Sequence, residues 1–270
     1  MPFTLAHPAA VLPLVRRPFS TAALVAGAVA PDLPYFVRST SVPVSAQSWY
    51  EPFMNATTSH SPLGALTVSL PWALALYGFF RLARRPAHAL LPAVVGPGAP
   101  APSGAAALLR RGGWVLLSLL IGTATHLVWD SFTHSDGYVV THVPLLSSPL
   151  AGDLTWARAL QHLSTVGGLL VIAVYLWRRR SRTPARGTAR GRAVRATRRS
   201  LWAGTGVAVA GAGASVLSRW STTGLTPGEV VESALSHAAT GAGAAVLGAL
   251  LLYVMVWWAV RGVRALRGGR

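Results

Sequence analysis

The stretch GWVLLSLLIGTATHLVWDSFTH covers residues 113 to 134 and combines an apolar, membrane-spanning composition with three ionisable side chains near its end. Its apolar part, Gly113–Ser131, approaches the roughly 20 residues that cross about 30 Å of hydrocarbon. Four other runs have the same character: Pro62–Phe80, Leu160–Trp177, Leu201–Leu217 and Ala238–Val260. The sequence therefore predicts an all-α fold, a polytopic transmembrane helical bundle with five spans.

The composition excludes most classes of soluble protein. Of the 270 residues, 52% are hydrophobic and only 11% are charged, whereas ordinary soluble domains carry about 25% charged residues. The mean hydropathy is +0.46. The chain has no Cys, which excludes disulfides, thiolate metal sites and cysteine nucleophiles. A metal site would therefore use His and carboxylate ligands.

The net charge of +17 comes from arginines that flank the apolar runs. All 24 basic residues are Arg; five lie in Arg81–Arg111, ten in Arg178–Arg199 and four in Arg261–Arg270. Basic loops stay on the cytoplasmic side of a membrane and attract anionic lipid headgroups. We therefore expect membrane lipids rather than nucleic acid as partners, and a cytoplasmic C-terminus.

The same pattern predicts the domain organisation. Residues 1–177 would form a membrane-embedded domain, residues 178–199 an Arg-rich cytoplasmic linker, and residues 200–270 a two-span helical hairpin with a basic tail. The stretch Pro86–Gly104 is rich in Pro, Gly and Ala and is interpreted as a loop. Glycines in the hairpin permit close helix packing within or between chains, so the oligomeric state stays open.

The N-terminal region carries a shorter apolar segment. Phe19–Ala30 is apolar for about a dozen residues, too few to cross a membrane easily. We expect a re-entrant or interfacial segment, and a sixth, tilted span is the alternative. The Arg16-Arg17 pair also resembles a twin-arginine signal, but the apolar stretch continues directly into Pro31 without a spacer, so we expect it to be retained.

Three polar residues near the end of the stretch from residue 113 to residue 134 share one helix face. His126, Asp130 and His134 recur at intervals of four residues. Ionisable side chains at a span are costly and usually face a cavity or a partner. His-x₃-Asp can present one imidazole nitrogen and one carboxylate oxygen to a metal ion, and His134 would serve the same ion or a neighbouring one. Structural packing between helices and an ion path are the alternatives.

Three further elements would lie on the same side of the membrane if the N-terminal segment does not span it. His60 directly precedes the span that begins at Pro62, with Ser61 as a helix cap. Asp32 is held between two prolines at the end of the short apolar segment, and His7 lies near the N-terminus. The sequence thus offers six His and Asp side chains to one region.

These elements, in this order, resemble a bacterial membrane family described as domain of unknown function 4184. The resemblance is carried by Met1–Ala10, Pro31–Phe36, Ser59–Gly64, His126–His134 and Gln161. The resemblance implies a bacterial membrane protein. The arginine distribution separately predicts that the site faces the outer side of the cytoplasmic membrane.

A looser similarity suggests chemistry. The order His, Pro-Asp, His-Ser, His-x₃-Asp is similar to LexA-regulated membrane-bound metal-dependent hydrolases and to zinc-dependent phospholipase C and its nuclease relatives. That similarity implies metal ligation by His7, Asp32, His60, His126, Asp130 and His134. The chain lacks the N-terminal Trp and the second His-x₃-Asp pair of the soluble enzymes, so we expect one or two ions.

The resulting hypothesis is a membrane-bound metal-dependent hydrolase. Zinc suits imidazole and carboxylate ligands best, with manganese or iron as alternatives. Asp130 and His134 are the candidate catalytic residues. Without Lys or Cys, metal-activated water is the simplest nucleophile for a phosphoester or lipid-linked substrate. A His/Asp-dependent transporter and a structural or assembly protein remain the alternatives.

Overall fold

A computed structural model describes residues 4–38, 43–45, 47–92, 103–181, 188–220 and 227–268. Almost all of this part is helical. Two 3₁₀ helices, Thr4–Leu14 and Ala30–Asp32, and a π-helical turn, Ala65–Ser69, accompany the α-helices. The α-helices are α1 Thr21–Val29, α2 Leu33–Arg38, α3 Glu51–Met54, α4 Ala56–Ser59, α5 Pro62–Gly64, α6 Leu70–Leu90, α7 Ala105–Thr133, α8 Tyr138–His142, α9 Pro144–Ser147, α10 Trp156–Ser181, α11 Thr188–Arg219 and α12 Pro227–Gly268.

Five helical segments are long and apolar enough to cross a membrane, which confirms the predicted transmembrane bundle. They are Pro62–Leu90, Ala105–His142, Trp156–Arg178, Val194–Arg219 and Ser233–Arg267. Each is longer than the apolar run that predicted it. Apolar runs end at the first Arg, but Arg and Ala are good helix formers, so the helix continues past the apolar boundary.

Helical structure also enters the segments predicted to be a linker and a loop. Helix α10 reaches Ser181 and α11 begins at Thr188, so much of the Arg-rich stretch is helical. Helix α6 likewise extends to Leu90, past the expected start of the loop. The remaining parts of these two segments, residues 182–187 and 93–102, lie outside the described residues.

The short N-terminal apolar segment lies in a helical stretch, Thr21–Val37, that is shorter than the five segments long enough to cross a membrane. Helix α1 has only nine residues, and Ser20 caps its start by accepting a hydrogen bond from the backbone N–H of Ala23. The buried residues of α1 pack against α6 and α7. The segment is therefore a short helix inserted among the longer ones, within reach of the end of α7.

The described chain forms two compact units. The first comprises residues 1–81 and 100–183, and the second comprises residues 82–99 and 184–270. In the second unit α11 packs along α12, and Gly211 faces Gly241 where their backbones come closest. The domain boundaries that the sequence predicts at residues 177 and 199 remain untested.

One short hairpin interrupts the helices of the first unit. Strands β1 Pro149–Ala151 and β2 Leu154–Thr155 pair antiparallel, with Pro149 opposite Thr155. Gly152 turns the chain with φ 54°, a conformation that glycine adopts without steric cost. The hairpin leads directly into α10 and places Trp156 at the start of that helix.

The core of the first unit depends on a close contact between α1 and α7. A Cβ atom at Gly27 would overlap the carbonyl oxygen of Leu119, and one at Gly122 would overlap that of Leu24. Leu24 and Leu119 are fully buried on either side of this contact. The two glycines therefore allow the backbones to touch, as small residues do between membrane helices.

We predict that Gly27→Ala and Gly122→Ala each destabilise the folded protein by about 1–3 kcal/mol, because the added methyl group must push two backbones apart. Gly78→Ala is the matched control, since Gly78 lies on α6 with open space around its Cα. Thermal unfolding in detergent, followed by circular dichroism, measures the difference. Equal melting temperatures for all three variants would contradict the proposed contact.

Candidate metal centre

Histidine and aspartate side chains from four separate segments meet at one end of α7. Asp32, His60, His126 and Asp130 each offer one ligand atom, and these atoms all lie within 4.8 Å of one another. We call these four residues the His/Asp cluster. His7 and His134 adjoin it through Asp130. All six residues predicted from the sequence therefore lie together.

Helix α7 supplies two members of the cluster. His126 and Asp130 are one helical turn apart on the face that packs toward α1 and the N-terminal helix, and both are buried. The Nδ1 atom of His126 lies 2.8 Å from the carbonyl oxygen of Ala28 on α1. An Nδ1–H group that donates to this oxygen leaves the Nε2 atom of the neutral ring as a lone pair.

Asp32 enters the cluster from the turn that follows α1. Pro31 is the second residue of the 3₁₀ helix Ala30–Asp32, within the first turn, where a proline is tolerated. The Asp32 side chain is fully buried. The carbonyl of Pro31 accepts a hydrogen bond of 2.7 Å from the hydroxyl of Ser59, which ties this turn to the segment that carries His60.

His60 follows directly on α4. Asn55 caps α4 by accepting from the backbone N–H of Thr57, and Ser61 caps the next helix by accepting from that of Gly64. The Nδ1 atom of His60 lies 2.8 Å from the carbonyl oxygen of Ala56. As with His126, donation from Nδ1 turns the Nε2 lone pair toward the cluster.

When both imidazoles are neutral and carry their proton on Nδ1, the four ligand atoms that converge are all electron-pair donors. The Nε2 atoms of His60 and His126 are 3.3 Å apart. Among the described residues, none of the carboxylate oxygens of Asp32 and Asp130 has a hydrogen-bond partner, although all four oxygens are buried. Buried polar atoms are normally satisfied. A cation among the four residues would satisfy the one oxygen that each carboxylate turns toward the two imidazoles.

Five of the six separations between the ligand atoms fit a single tetrahedral cation, and the sixth, between the two carboxylate oxygens, is at most 4.8 Å. Ligands at 2.0–2.1 Å from one ion lie about 3.3–3.4 Å apart when the coordination is tetrahedral. The distance from His60 Nε2 is 3.5 Å to Asp32 Oδ1 and 3.3 Å to Asp130 Oδ2. The corresponding distances from His126 Nε2 are 3.4 Å and 3.2 Å. With the distance between the two imidazoles, five edges of the tetrahedron have the expected length.

His7 and His134 occupy different positions beside Asp130. The Nε2 atom of His7 is 3.4 Å from Asp130 Oδ1, the oxygen that does not face the tetrahedral position. The ring of His7 stacks on that of His126, with centroids 3.8 Å apart. The Nδ1 atom of His134 lies 3.5 Å from Asp130 Oδ2. Neither residue belongs to the four-residue group.

The pKa values of Asp32, His60 and His7, which lie outside the spanning helices, reflect the close packing of these charged groups. Burial opposes the charge on Asp32, but the facing imidazoles of His126 and His60 outweigh it and hold the pKa of its carboxyl below its usual range. Burial also opposes charge on His60, yet the carboxylates of Asp130 and Asp32 raise its pKa to about 9. Burial, together with the neighbouring His126, lowers the pKa of His7 to about 4.

Two residues near the cluster were not assigned a role by sequence reasoning. Ser59 is fully buried, and its hydroxyl joins the Asp32 and His60 segments. Tyr35 is 43% exposed, and its ring lies 6.1 Å from that of His60. Both stand in the quoted motifs, beside His60 and after Asp32, but spacing along the chain gives no sign of a contact between two segments.

These features define an α-helical, membrane-type protein with a buried His/Asp cluster that could hold a metal ion. The chain belongs to the family described as domain of unknown function (DUF4184), whose model matches residues 1–255. No curated protein and no solved structure matches it significantly. The similarity to metal-dependent hydrolases therefore stays a prediction.

We predict that the purified protein, reconstituted with Zn²⁺, retains about one ion per chain, as expected for one tetrahedral site. Asp32→Asn, His60→Ala and His126→Ala should each abolish retention, whereas His7→Ala and His134→Ala should keep the ion. His142→Ala is a control, because His142 is exposed and contacts Tyr138. Elemental analysis at matched helix content measures the ratio. Loss of the ion in all five of these variants, including His7→Ala and His134→Ala, would indicate a larger site.

We predict that Ser59→Ala lowers metal affinity about 10- to 100-fold, as removal of groups that orient ligands does. The substitution breaks the bond between the turns that carry Asp32 and His60. Ser131→Ala is the matched control, since its hydroxyl donates only within α7, to Val128. Competition with a chelating dye measures both affinities. Equal losses in the two variants would show that Ser59 has no special role.

Proposed function

We propose that the protein is a membrane-bound metal-dependent hydrolase whose ion is held by the His/Asp cluster. One observation carries the proposal: two imidazole lone pairs and two carboxylates converge, and the carboxylate oxygens accept no hydrogen bond among the described residues. A divalent cation balances the two carboxylate charges while both imidazoles remain neutral. The cluster is then uncharged overall, which reduces the large penalty for burying ions.

Zinc is the ion that this ligand set favours. Two nitrogens and two oxygens without thiolate suit Zn²⁺, and the spacing of about 3.3 Å suits its tetrahedral preference. Manganese and iron more often take octahedral sites, in which neighbouring ligands lie about 3.0 Å apart. A bound Zn²⁺ lowers the pKa of a coordinated water and polarises a phosphoryl or carbonyl oxygen.

The exposure of the histidine side chains supports access of water and substrate to the cluster from one side. The side chains of His60 and His134 are 20% and 21% exposed, whereas those of Asp32 and His126 are fully buried. Water and substrate would enter past the two exposed histidines. His134 lies beside Asp130 without joining the four-residue group, so its imidazole is free to exchange a proton with the substrate's leaving group. Asp130 would hold the ion and orient His134.

The position of the cluster suggests the substrate class. It lies in the last two turns of α7, which ends at Thr133, and therefore near the end of the apolar run Gly113–Ser131. A phosphoester on a lipid or a lipid-linked molecule would present its polar group at this depth while its acyl chains stay in the bilayer. Membrane lipids are accordingly the proposed partners, and we propose no role for nucleic acid.

The proposed orientation follows from the arginine distribution. With the basic segments and the C-terminus in the cytoplasm, the His/Asp cluster would face the outer side of the bacterial cytoplasmic membrane. The protein would then hydrolyse molecules that have crossed the membrane or that lie in its outer leaflet.

A structural role is the second candidate. The pKa of His60, raised to about 9 by Asp130 and Asp32, favours an ion-pair cluster in which protonated imidazoles balance the two carboxylates without a metal. Such a cluster would link α4, α7 and the Ala30–Asp32 turn. It predicts no retained ion and no hydrolysis.

We predict that zinc-loaded protein in liposomes hydrolyses phosphodiesters, tested with bis(p-nitrophenyl) phosphate and with fluorescent phospholipids. His134→Ala should keep the ion but lower kcat about 100-fold or more, as loss of a general acid or base does. Asp130→Asn should lose both the ion and turnover, and His142→Ala should lose neither. Turnover that survives both Asp130→Asn and chelation would contradict the proposal.

A further inference from the structure

In the second unit, a hydrogen bond between α12 and α6 replaces a backbone hydrogen bond that a proline removes from α6. Pro86 lies inside α6 and has no N–H group, so the carbonyl of Leu82 lacks its usual partner four residues later. The indole N–H of Trp258 on α12 donates to this carbonyl at 3.2 Å. The hydroxyl of Tyr253 donates to the carbonyl of Pro86 at 3.4 Å. These bonds fix the end of α6 against α12.

Two arginines stack on the tryptophans at this junction. The guanidinium carbon of Arg261 lies 4.4 Å from the ring centroid of Trp257, and that of Arg85 lies 6.0 Å from that of Trp258. The two indole rings meet edge to face, with centroids 4.8 Å apart. Both arginines are exposed. Stacking on a fixed ring restricts a guanidinium and leaves its N–H edge free to bind an anion.

Carboxylates are absent from this end of α12. The acidic residue of α12 nearest to the tryptophans is Glu232, 25 residues before Trp257, or about 38 Å along a helix. Arg264 follows Arg261 on the same exposed face. Among the described residues, no ion pair with a carboxylate is seen for Arg85, Arg261 or Arg264. The surface is therefore positively charged without internal compensation.

We propose that Arg85, Arg261, Trp257 and Trp258 form a binding site for the phosphate of an anionic phospholipid headgroup. Guanidinium groups bind phosphate oxygens through two parallel N–H donors. Tryptophan prefers the depth of the headgroups, with its ring against the acyl chains. The junction occurs where α6 and α12 change from apolar to Arg-rich sequence, which is the depth at which lipid phosphates lie. The site is independent of the His/Asp cluster.

The test is lipid binding by the delipidated full-length protein in detergent, measured by native mass spectrometry with phosphatidylglycerol and with phosphatidylcholine. Arg85→Gln/Arg261→Gln should weaken phosphatidylglycerol binding about thirtyfold, because both arginines lose their charge-assisted hydrogen bonds to the lipid phosphate. Arg110→Gln/Arg111→Gln is the matched control, since it removes the same charge where no stacking on an aromatic ring is seen among the described residues. The control should retain nearly the wild-type affinity.

Two further binding measurements complete the test. Arg85→Lys/Arg261→Lys preserves the charge and folding but not the planar donor pair, so we expect weaker binding than in the wild type. Inorganic phosphate at the lipid's concentration should not displace phosphatidylglycerol. Equal loss in the Gln variant and its control, full binding by the Lys variant, or displacement by inorganic phosphate would each overturn the proposed lipid site.

Discussion

The geometry of the His/Asp cluster depends on the backbone contact between α1 and α7 at Gly27 and Gly122. This contact brings the carbonyl of Ala28 to within 2.8 Å of His126 Nδ1. The resulting hydrogen bond orients the ring and directs its Nε2 lone pair toward Asp32, which follows Ala28 by four residues. A change of 1 Å in the distance between the helices would lengthen this bond and move Asp32 relative to α7. The packing of two small residues therefore sets the spacing of ligand atoms some distance away.

Burial of the cluster ties charge balance to folding. Asp32 and Asp130 are buried in a chain with five helical segments apolar enough to cross a membrane, and unpaired carboxylates in such an interior are very costly. Either a divalent cation or two protonated imidazoles must offset them. The ligands come from the turn after α1, from the end of α4 and from α7, so they can meet only once these segments have packed. Binding of an ion would consequently stabilise the folded first unit, as structural and catalytic metals do elsewhere.

Much of this arrangement could be predicted from the sequence, because it follows from local periodicity. The four-residue spacing of His126 and Asp130 predicts a shared helix face, and the apolar runs predict the five spans. The rest depends on contacts between distant segments. Nothing in the spacing shows that Ser59 bonds to Pro31, or that Trp258 donates to the carbonyl freed by Pro86. Apolar composition also underestimates helix length, because Arg and Ala continue a helix beyond the lipid-facing part.

The choice of basic residues around the two aspartates favours metal ligation over a purely structural ion-pair cluster. The chain has 24 arginines and a net charge of +17, and Arg is the usual partner for a buried carboxylate because it stays charged and binds both oxygens. Yet among the described residues, every ion-pair partner of Asp32 and Asp130 is a histidine. Histidine differs from Arg in that its neutral form offers a lone pair to a cation. Where the backbone carbonyls of Ala28 and Ala56 hold the Nδ1 protons, that lone pair lies at Nε2 and faces the carboxylates. Because histidines rather than arginines face the two buried carboxylates, the site is better suited to bind a metal cation than to form an ion pair without a metal.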